Sequence, residues 1–442
     1  MTERTSAPRL SRRALMGLGA GAAALGALPV AAPAQTPAPV KTAARIVILG
    51  GGAAGTAMAN RLVQRLDGAE ITVVDGRAQH WYQPGFTLIA AGLKPSGYSV
   101  SRTGEWLPSA ARWVNEGAAA IDPDARRVTT TGGEVLEYDY LVLACGMVLD
   151  WDAVEGFEKS QVGANGIGAV YAGPEEAAAT WKAMDNFTDK GGIGLFGRPA
   201  TEMKCAGAPL KYTFITDDYL RRKEHRDTSQ VIYTAHNDTL FSVPIVNEKV
   251  KLLFRERGVD TRWHHVLRGV DAGARQAHYD TPEGRKVLDF DFINVIPPMR
   301  APQVIRDAGL SWADRWVDQG WAEVDPETLR HRRYANIFAV GDVAGVPKGK
   351  TAASVKWQVP VVEDHLVADI NGRAGTAVYN GYTSCPMITR IGRAMLVEFD
   401  YENNLTPSFP GVISPLEELW ISWLMKEIAL KPTYNAMLRG LA

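Results

Sequence analysis

Arg45-Ile46-Val47-Ile48-Leu49-Gly50-Gly51-Gly52-Ala53-Ala54-Gly55 is the stretch on which the fold turns. Its aliphatic run reads as a buried strand, and the glycines follow at once, ahead of a helical stretch reaching about Leu66. Gly50, Gly52 and Gly55 permit a tight turn and bring backbone N–H groups up to a diphosphate at a helix N-terminus. The next strand, Glu70 to Val74, ends on Asp75, where a carboxylate can accept hydrogen bonds from a ribose. Glycines alone would mark only a turn. Strand, turn, helix, strand and terminal acid in this order mark a dinucleotide-binding unit.

Working outward, Tyr138-Asp139-Tyr140-Leu141-Val142-Leu143-Ala144-Cys145-Gly146 reads as the strand that returns to the same sheet, with Cys145 as a small packing residue. Far downstream, Arg333-Tyr334-Ala335-Asn336-Ile337-Phe338-Ala339-Val340-Gly341-Asp342 is a strand ending in Gly341-Asp342, with a helix starting near Lys350-Thr351-Ala352-Ala353. Taken by itself, Asp342 is an N-cap. Between these segments a second Rossmann-like strand, Gly191-Gly192-Ile193-Gly194-Leu195-Phe196-Gly197, runs into Arg198-Pro199-Ala200-Thr201-Glu202-Met203-Lys204-Cys205. Pro199 has no N–H to donate, and no glycine repeat follows for a diphosphate. The next strand, Gln230 to His236, ends without a carboxylate. NAD(P)H is therefore not expected as a substrate, and the fold class is α/β with two Rossmann-like domains, the second altered around Cys205.

The chain has 442 residues, 46% of them hydrophobic, which is enough for more than one core, and a formal charge of −1 that offers no field for nucleic acid. Residues 1–34 read as a twin-arginine export signal: Arg12-Arg13 after Ser11, a mild apolar run from Ala14 to Leu28, then Ala32-Pro33-Ala34. Periplasmic localisation follows, where a disulfide persists. Cys205 and Cys385 are two of three cysteines; a structural bridge, buried thiols and a redox pair are all compatible with the sequence. Lys204 and Lys211 stand near enough in sequence to lower the Cys205 thiol pKa, and Pro386 stiffens Cys385. His80, His236, His264, His265 and His278 have no ligand spacing, so no metal site is expected. Leu416 to Lys426 carries apolar residues at helical spacing, as core packing or as an interfacial face, and is too short to span a bilayer.

Tyr82-Gln83-Pro84-Gly85-Phe86-Thr87-Leu88, Lys204 to Lys211, Lys350 to Ala353, Tyr382-Thr383-Ser384-Cys385-Pro386, Glu398-Phe399-Asp400-Tyr401 and Met437-Leu438-Arg439-Gly440 together resemble the sulfide:quinone oxidoreductases, in their mitochondrial-like branch, over nearly everything after residue 44. The resemblance implies a two-dinucleotide flavoprotein with FAD on Gly50, Gly52, Gly55, Asp75, Gly341 and Asp342. It implies a Cys205/Cys385 redox pair beside the flavin: hydrosulfide attacks Cys385, leaves a persulfide there and frees Cys205 as a thiolate that reduces the flavin. Lys426 would stabilise charge at the flavin pyrimidine end. Phe399, Trp420, Trp423 and Leu424 would form an apolar quinone-side surface. The partners implied are sulfide, quinone and a sulfur acceptor, with peripheral membrane contact. A related periplasmic family, flavocytochrome c sulfide dehydrogenase, passes electrons to cytochrome c and holds FAD through a cysteine in the segment matching Trp81-Tyr82-Gln83-Pro84. None stands there, so noncovalent FAD is expected. The division expected is 1–34 leader, 35–44 linker, 45–155 first FAD part, 156–290 second Rossmann-like domain, 291–375 returning FAD part and 376–442 C-terminal redox and quinone-side segment.

Overall fold

The computed structural model describes residues 38–441; the leader read at 1–34 lies outside the described residues. Strand β1 (Arg45–Leu49) leads through three glycines into helix α1 (Ala53–Arg65), followed by β2 (Glu70–Val74), β3 (Arg112–Val114) and β4 (Tyr140–Leu143). The chain then forms β5 (Ile167–Gly168), α2 (Pro174–Lys190), β6 (Gly192–Gly197), α3 (Ala208–Arg222), β7 (Ser229–Thr234), β8 (Asp260–Arg262) and β9 (Phe292–Asn294). It returns with β10 (Ile337–Ala339) and α4 (Ala352–Ile370), then the hairpin β11 (Thr383–Arg390) and β12 (Arg393–Phe399), and ends on α5 (Trp420–Leu424) and α6 (Leu430–Leu438).

Two five-stranded parallel sheets result, ordered β10-β4-β1-β2-β3 and β5-β9-β6-β7-β8. Their central strands are near-continuous apolar runs because helices and loops cover both faces. Ile46, Ile48, Leu141, Leu143 and Phe338 in the first sheet are almost fully buried, as are Leu195, Val231 and Phe292 in the second. Strand β10 arrives some two hundred residues after β4 yet pairs with it, so the first unit is closed only by the returning chain.

The C-terminal segment departs from the single helix expected over Leu416–Lys426. Leu416–Leu419 is not helical, and after the short α5 the backbone widens into a π turn at Met425–Ala429 before α6. Pro432 gives the reason: it cannot donate to the carbonyl four residues back, and its ring crowds that carbonyl, so the preceding turn opens.

Candidate functional site: a dinucleotide edge beside a thiol pair

Register sets the first half of the site. Leu49 pairs with both Val74 and Leu143, and Leu143 with Ala339, so the four strands end level and place Gly50, Asp75 and Gly341 along one edge. Gly50 has φ +110°, and a Cβ there would fall 2.4 Å from the Ala144 carbonyl oxygen. A Cβ on Gly55 would fall 1.7 Å from the Gly50 oxygen, which lets α1 start hard against the turn. A Cβ on Gly52 would meet only Arg77 Nη2, at 3.6 Å, leaving that backbone open to a diphosphate.

Asp75 accepts from Gly51 N at 2.6 Å and from Arg77 N and Nε at 2.9 and 3.0 Å. Burial pushes its carboxyl up, but the Arg77 contacts outweigh this and hold it below the usual range. Across the edge, no donor among the described residues reaches the Asp342 carboxylate, whose pKa burial raises against the pull of Lys350 and Lys204. An open glycine backbone, an arginine, a strand-end acid and an unpaired carboxylate at the far strand fit the diphosphate, ribose and polyol of FAD. Thr351 caps α4 by accepting from Ser354 N at 3.1 Å, and aims that helix's positive end at the same edge.

The second half belongs to α3 and β11, which pack together. Cys205 lies just before α3 and Cys385 in the buried face of β11. The two thiols adjoin, close enough for a side-chain hydrogen bond between them, and a Cβ on Gly207 would sit 2.4 Å from Cys385 Sγ. Cys205 has φ +49°, a left-handed conformation that costs a non-glycine residue roughly 1–3 kcal/mol. Its N–H donates to Lys350 O at 2.9 Å, and Lys211 Nζ donates to its sulfur at 3.3 Å. The interaction between the thiols dominates their ionisation. With the Lys211 ammonium it pulls Cys205 well below the ordinary thiol value, while the partner thiol and burial push Cys385 up. Both directions favour the thiolate on the Lys211 side of the pair over one at Cys385.

Two further lysines tie the Tyr82–Gly85 stretch to this side of the site. Lys204 Nζ donates to Gln83 Oε1 at 2.6 Å, and burial lowers its pKa to about 8. Lys426, carried by the π turn, donates to Pro84 O at 2.6 Å; burial, then the Lys211 charge, lower it to about 7. Its charge bears on both thiols, so the structure brings Lys426 to the sulfur pair as well as to the Tyr82 segment. Cys145 stands elsewhere, at the end of β4 against Gly50, with burial raising its thiol to about 12.

The four residues assigned to the quinone side do not share one open surface. Trp423 is 6% and Phe399 5% exposed, packed in the same apolar cluster as Cys385, with Phe399 edge-on to Phe241. Leu424 is half-buried, and Trp420 is 55% exposed. Phe399 turns to the inner face of β12, edge-on to Phe241, whereas Trp420 and Trp423, three residues apart, share a side of the short α5, Trp420 at its exposed first position and Trp423 one turn further in. Among the described residues no group of three His, Cys, Asp or Glu side chains is placed to hold a metal. The sequence reading missed Tyr171, whose hydroxyl donates to Lys204 O and Cys205 O at 3.1 and 3.3 Å. It lies in an irregular connection where no periodicity marks it.

The sequence profile of the pyridine nucleotide-disulphide oxidoreductases matches residues 44–356. The mitochondrial sulfide:quinone oxidoreductase of Mus musculus is 34% identical over 403 residues, 89% of this chain and 86% of that protein. The chain belongs to the sulfide:quinone oxidoreductase family. The mitochondrial member from Dictyostelium discoideum is 32% identical, covering 91% of this chain and 87% of its own. The solved structure of the Aquifex aeolicus sulfide:quinone oxidoreductase superposes with a TM-score of 0.75 at 22% identity, over 90% of this chain and 92% of that one, a likeness of fold. The chain is thus a flavin-dependent oxidoreductase of a family of FAD-binding flavoproteins.

Proposed function

We propose that this chain oxidises sulfide to sulfane sulfur at Cys205 and Cys385, holds FAD noncovalently, and delivers the electrons to a quinone. The observation that carries the reading is the adjoining thiol pair with the Lys211 ammonium 3.3 Å from one sulfur. In the oxidised pair, hydrosulfide attacks Cys385 Sγ; the Cys385–Cys205 bond breaks, leaving a persulfide on Cys385 and a thiolate on Cys205. Lys211 stabilises that leaving thiolate, and Lys426 adds a second positive charge nearby. A nucleophilic acceptor takes the outer sulfur from Cys385, and re-forming the bond between the two sulfurs releases two electrons. Bound at the dinucleotide edge, FAD would supply the two-electron acceptor for that pair and the link onward to quinone. Gly50, Gly52, Gly55, Asp75, Gly341 and Asp342 would hold the cofactor, and the absence of cysteine in Trp81–Pro84 supports a noncovalent attachment. We keep the division at 155, 290 and 375 as a working domain scheme, to be checked by limited proteolysis.

Phe399, Trp423 and Leu424 would line the quinone path from within, with Trp420 at its mouth. Exposed Phe409, Val412, Trp420, Ile421 and Ile428 support peripheral contact with a membrane, and among the described residues no helix is long and apolar enough to cross one. The order of charges and small residues in 1–34 supports twin-arginine export to the periplasm; Arg12→Lys with Arg13→Lys should then retain the chain in the cytoplasm. The catalytic test is anaerobic. Cys205→Ser and Cys385→Ser should each keep bound FAD and lose its bleaching by sulfide, whereas Cys145→Ser should keep both. Bleaching at the normal rate in Cys205→Ser would reject the pair. In the unaltered protein, decylubiquinone should reoxidise the flavin faster than cytochrome c, with little dependence on salt. Prompt, salt-sensitive reoxidation by cytochrome c alone would move the assignment to a sulfide dehydrogenase.

A further inference from the structure

Cys205 is held in the left-handed region at φ +49°, where a residue with a Cβ stays only when its surroundings hold it. Its N–H is tied to Lys350 O at 2.9 Å and its carbonyl accepts from Ala208 N at 2.7 Å. A further tie, like that to Lys350, comes from outside the loop. Tyr171, 6% exposed, donates its hydroxyl to the carbonyls of Lys204 and Cys205 at 3.1 and 3.3 Å. The same ring lies 5.0 Å under Lys204 Nζ, which in turn donates to Gln83 Oε1 at 2.6 Å. One hydroxyl is therefore shared between the carbonyls on either side of the Cys205 Cα, and its ring supports the ammonium beside it.

Resting on the thiol-pair reading above, we propose that Tyr171 is a positioning residue for Cys205. Its hydroxyl keeps the left-handed turn closed, so the sulfur stays against both Lys211 Nζ and Cys385. Without that hydroxyl, the strained turn relaxes towards ordinary φ, and the Cys205 sulfur swings from Lys211, losing the contact that favours its thiolate. Tyr171 acts on Cys205 alone in this scheme, by holding the turn and by reaching the Cys205 side chain with the same hydroxyl.

The test is Tyr171→Phe in the full flavin-bound chain, compared with Tyr212→Phe. Tyr212 is an equally buried tyrosine whose hydroxyl donates to Ala90 O at 2.9 Å. After reduction of the thiols, alkylation of Cys205 by iodoacetamide is followed against pH by peptide mass spectrometry. Tyr171→Phe should keep its flavin, move the alkylation midpoint to higher pH and slow alkylation at neutral pH about fivefold, the size of one lost hydrogen bond. Tyr212→Phe should leave the profile in place. Equal shifts in both variants, or none in Tyr171→Phe, would overturn the proposal. If Tyr171→Phe does not fold, Tyr171→His, which keeps a donor, should restore folding and an intermediate midpoint; failure of that rescue also overturns it. The readout does not use sulfide, so it stands apart from the pair mechanism, which fails if Cys205→Ser bleaches normally.

Discussion

After β1 the backbone needs three residues, Gly50–Gly52, to enter its helix, whereas after β6 it takes ten, Arg198–Gly207. Both turns leave the carboxyl edge of a parallel sheet, the place where such sheets bind ligands. In the first, glycine brings bare backbone to the edge and β2 ends on an acid. In the second, the longer loop brings a strained cysteine there, and β7 ends on Thr234, followed by Ala235 and His236 with no acid. One architecture thus presents N–H groups for a diphosphate in one unit and a thiol in the other. A fold sets where chemistry is presented; the residues between strand and helix set which chemistry it is.

Two glycines allow the contrast to be broken one side at a time. Gly55→Ala should have the largest effect, because its Cβ would lie 1.7 Å from the Gly50 oxygen, a backbone atom that cannot give way without moving the turn. The expected outcome is a chain purified with little or no flavin, read from its visible absorbance, while Gly97→Ala, with nothing within 4 Å, keeps its full content. Gly207→Ala is the counterpart in the second unit. Its Cβ would lie 2.4 Å from Cys385 Sγ, so it should retain flavin yet lose most sulfide-driven bleaching. Loss of flavin in Gly207→Ala would show that the two turns are not functionally separate.

Much of this contrast was readable beforehand, for a physical reason. Strand, glycine turn and strand-end acid are local features, and hard-sphere limits on glycine and proline act through neighbours in sequence. The boundaries of β1 and β2 follow from such signals, and the start of α4 near Thr351 was legible too, whereas the side-chain cap there was not. The adjacency of Cys205 and Cys385 does not. It depends on α3 packing against a hairpin that lies far downstream, and only the resemblance to a known family pointed to it. Burial of Trp423 and Phe399 was equally hidden, since aromatic residues at helical or alternating spacing suit a core and a binding face alike. Tyr171 had no signal at all, because its role comes from a hydroxyl reaching across to another loop's carbonyls.

Lys426 joins the two units, and its replacement should have an intermediate effect. Burial lowers it to about 7 from 10.5, so it is cationic below that pH and its support for the thiolate is lost as pH rises through about 7. Lys426→Met should slow sulfide bleaching below pH 7 by about tenfold, equivalent to one unit of thiol pKa, and remove the step near pH 7. Stability should move the other way. Between about 7 and 10.5 the unfolded chain holds the proton that the folded one has released, so the folded state gains stability with rising pH in that window. Lys426→Met should flatten that rise in denaturant titrations. An unchanged pH profile would place the ammonium's influence elsewhere.

The smallest expected effect is none at all, and it probes the second edge directly. A nicotinamide dinucleotide needs N–H donors for its diphosphate and an acceptor for its ribose, and at this edge neither is in place. Pro199 removes a donor, the Cys205 N–H is already committed to Lys350 O at 2.9 Å, and Thr234 Oγ1 donates to Phe196 O at 3.0 Å. His236, lowered to about 4 by burial and the Arg198 charge, is neutral at physiological pH and supplies no carboxylate. A large excess of NADH should therefore leave the flavin oxidised under anaerobic conditions and leave sulfide bleaching unslowed. His236→Asp sharpens the point. It restores a strand-end acid without restoring the turn, so if the turn is the decisive difference between the two units, NADH should still fail to bleach the flavin. Reduction by NADH in the unaltered chain would mean that the second unit kept its ancestral-type site despite the loop; reduction only in His236→Asp would mean that the missing carboxylate, and not the ten-residue loop, is what separates the two edges.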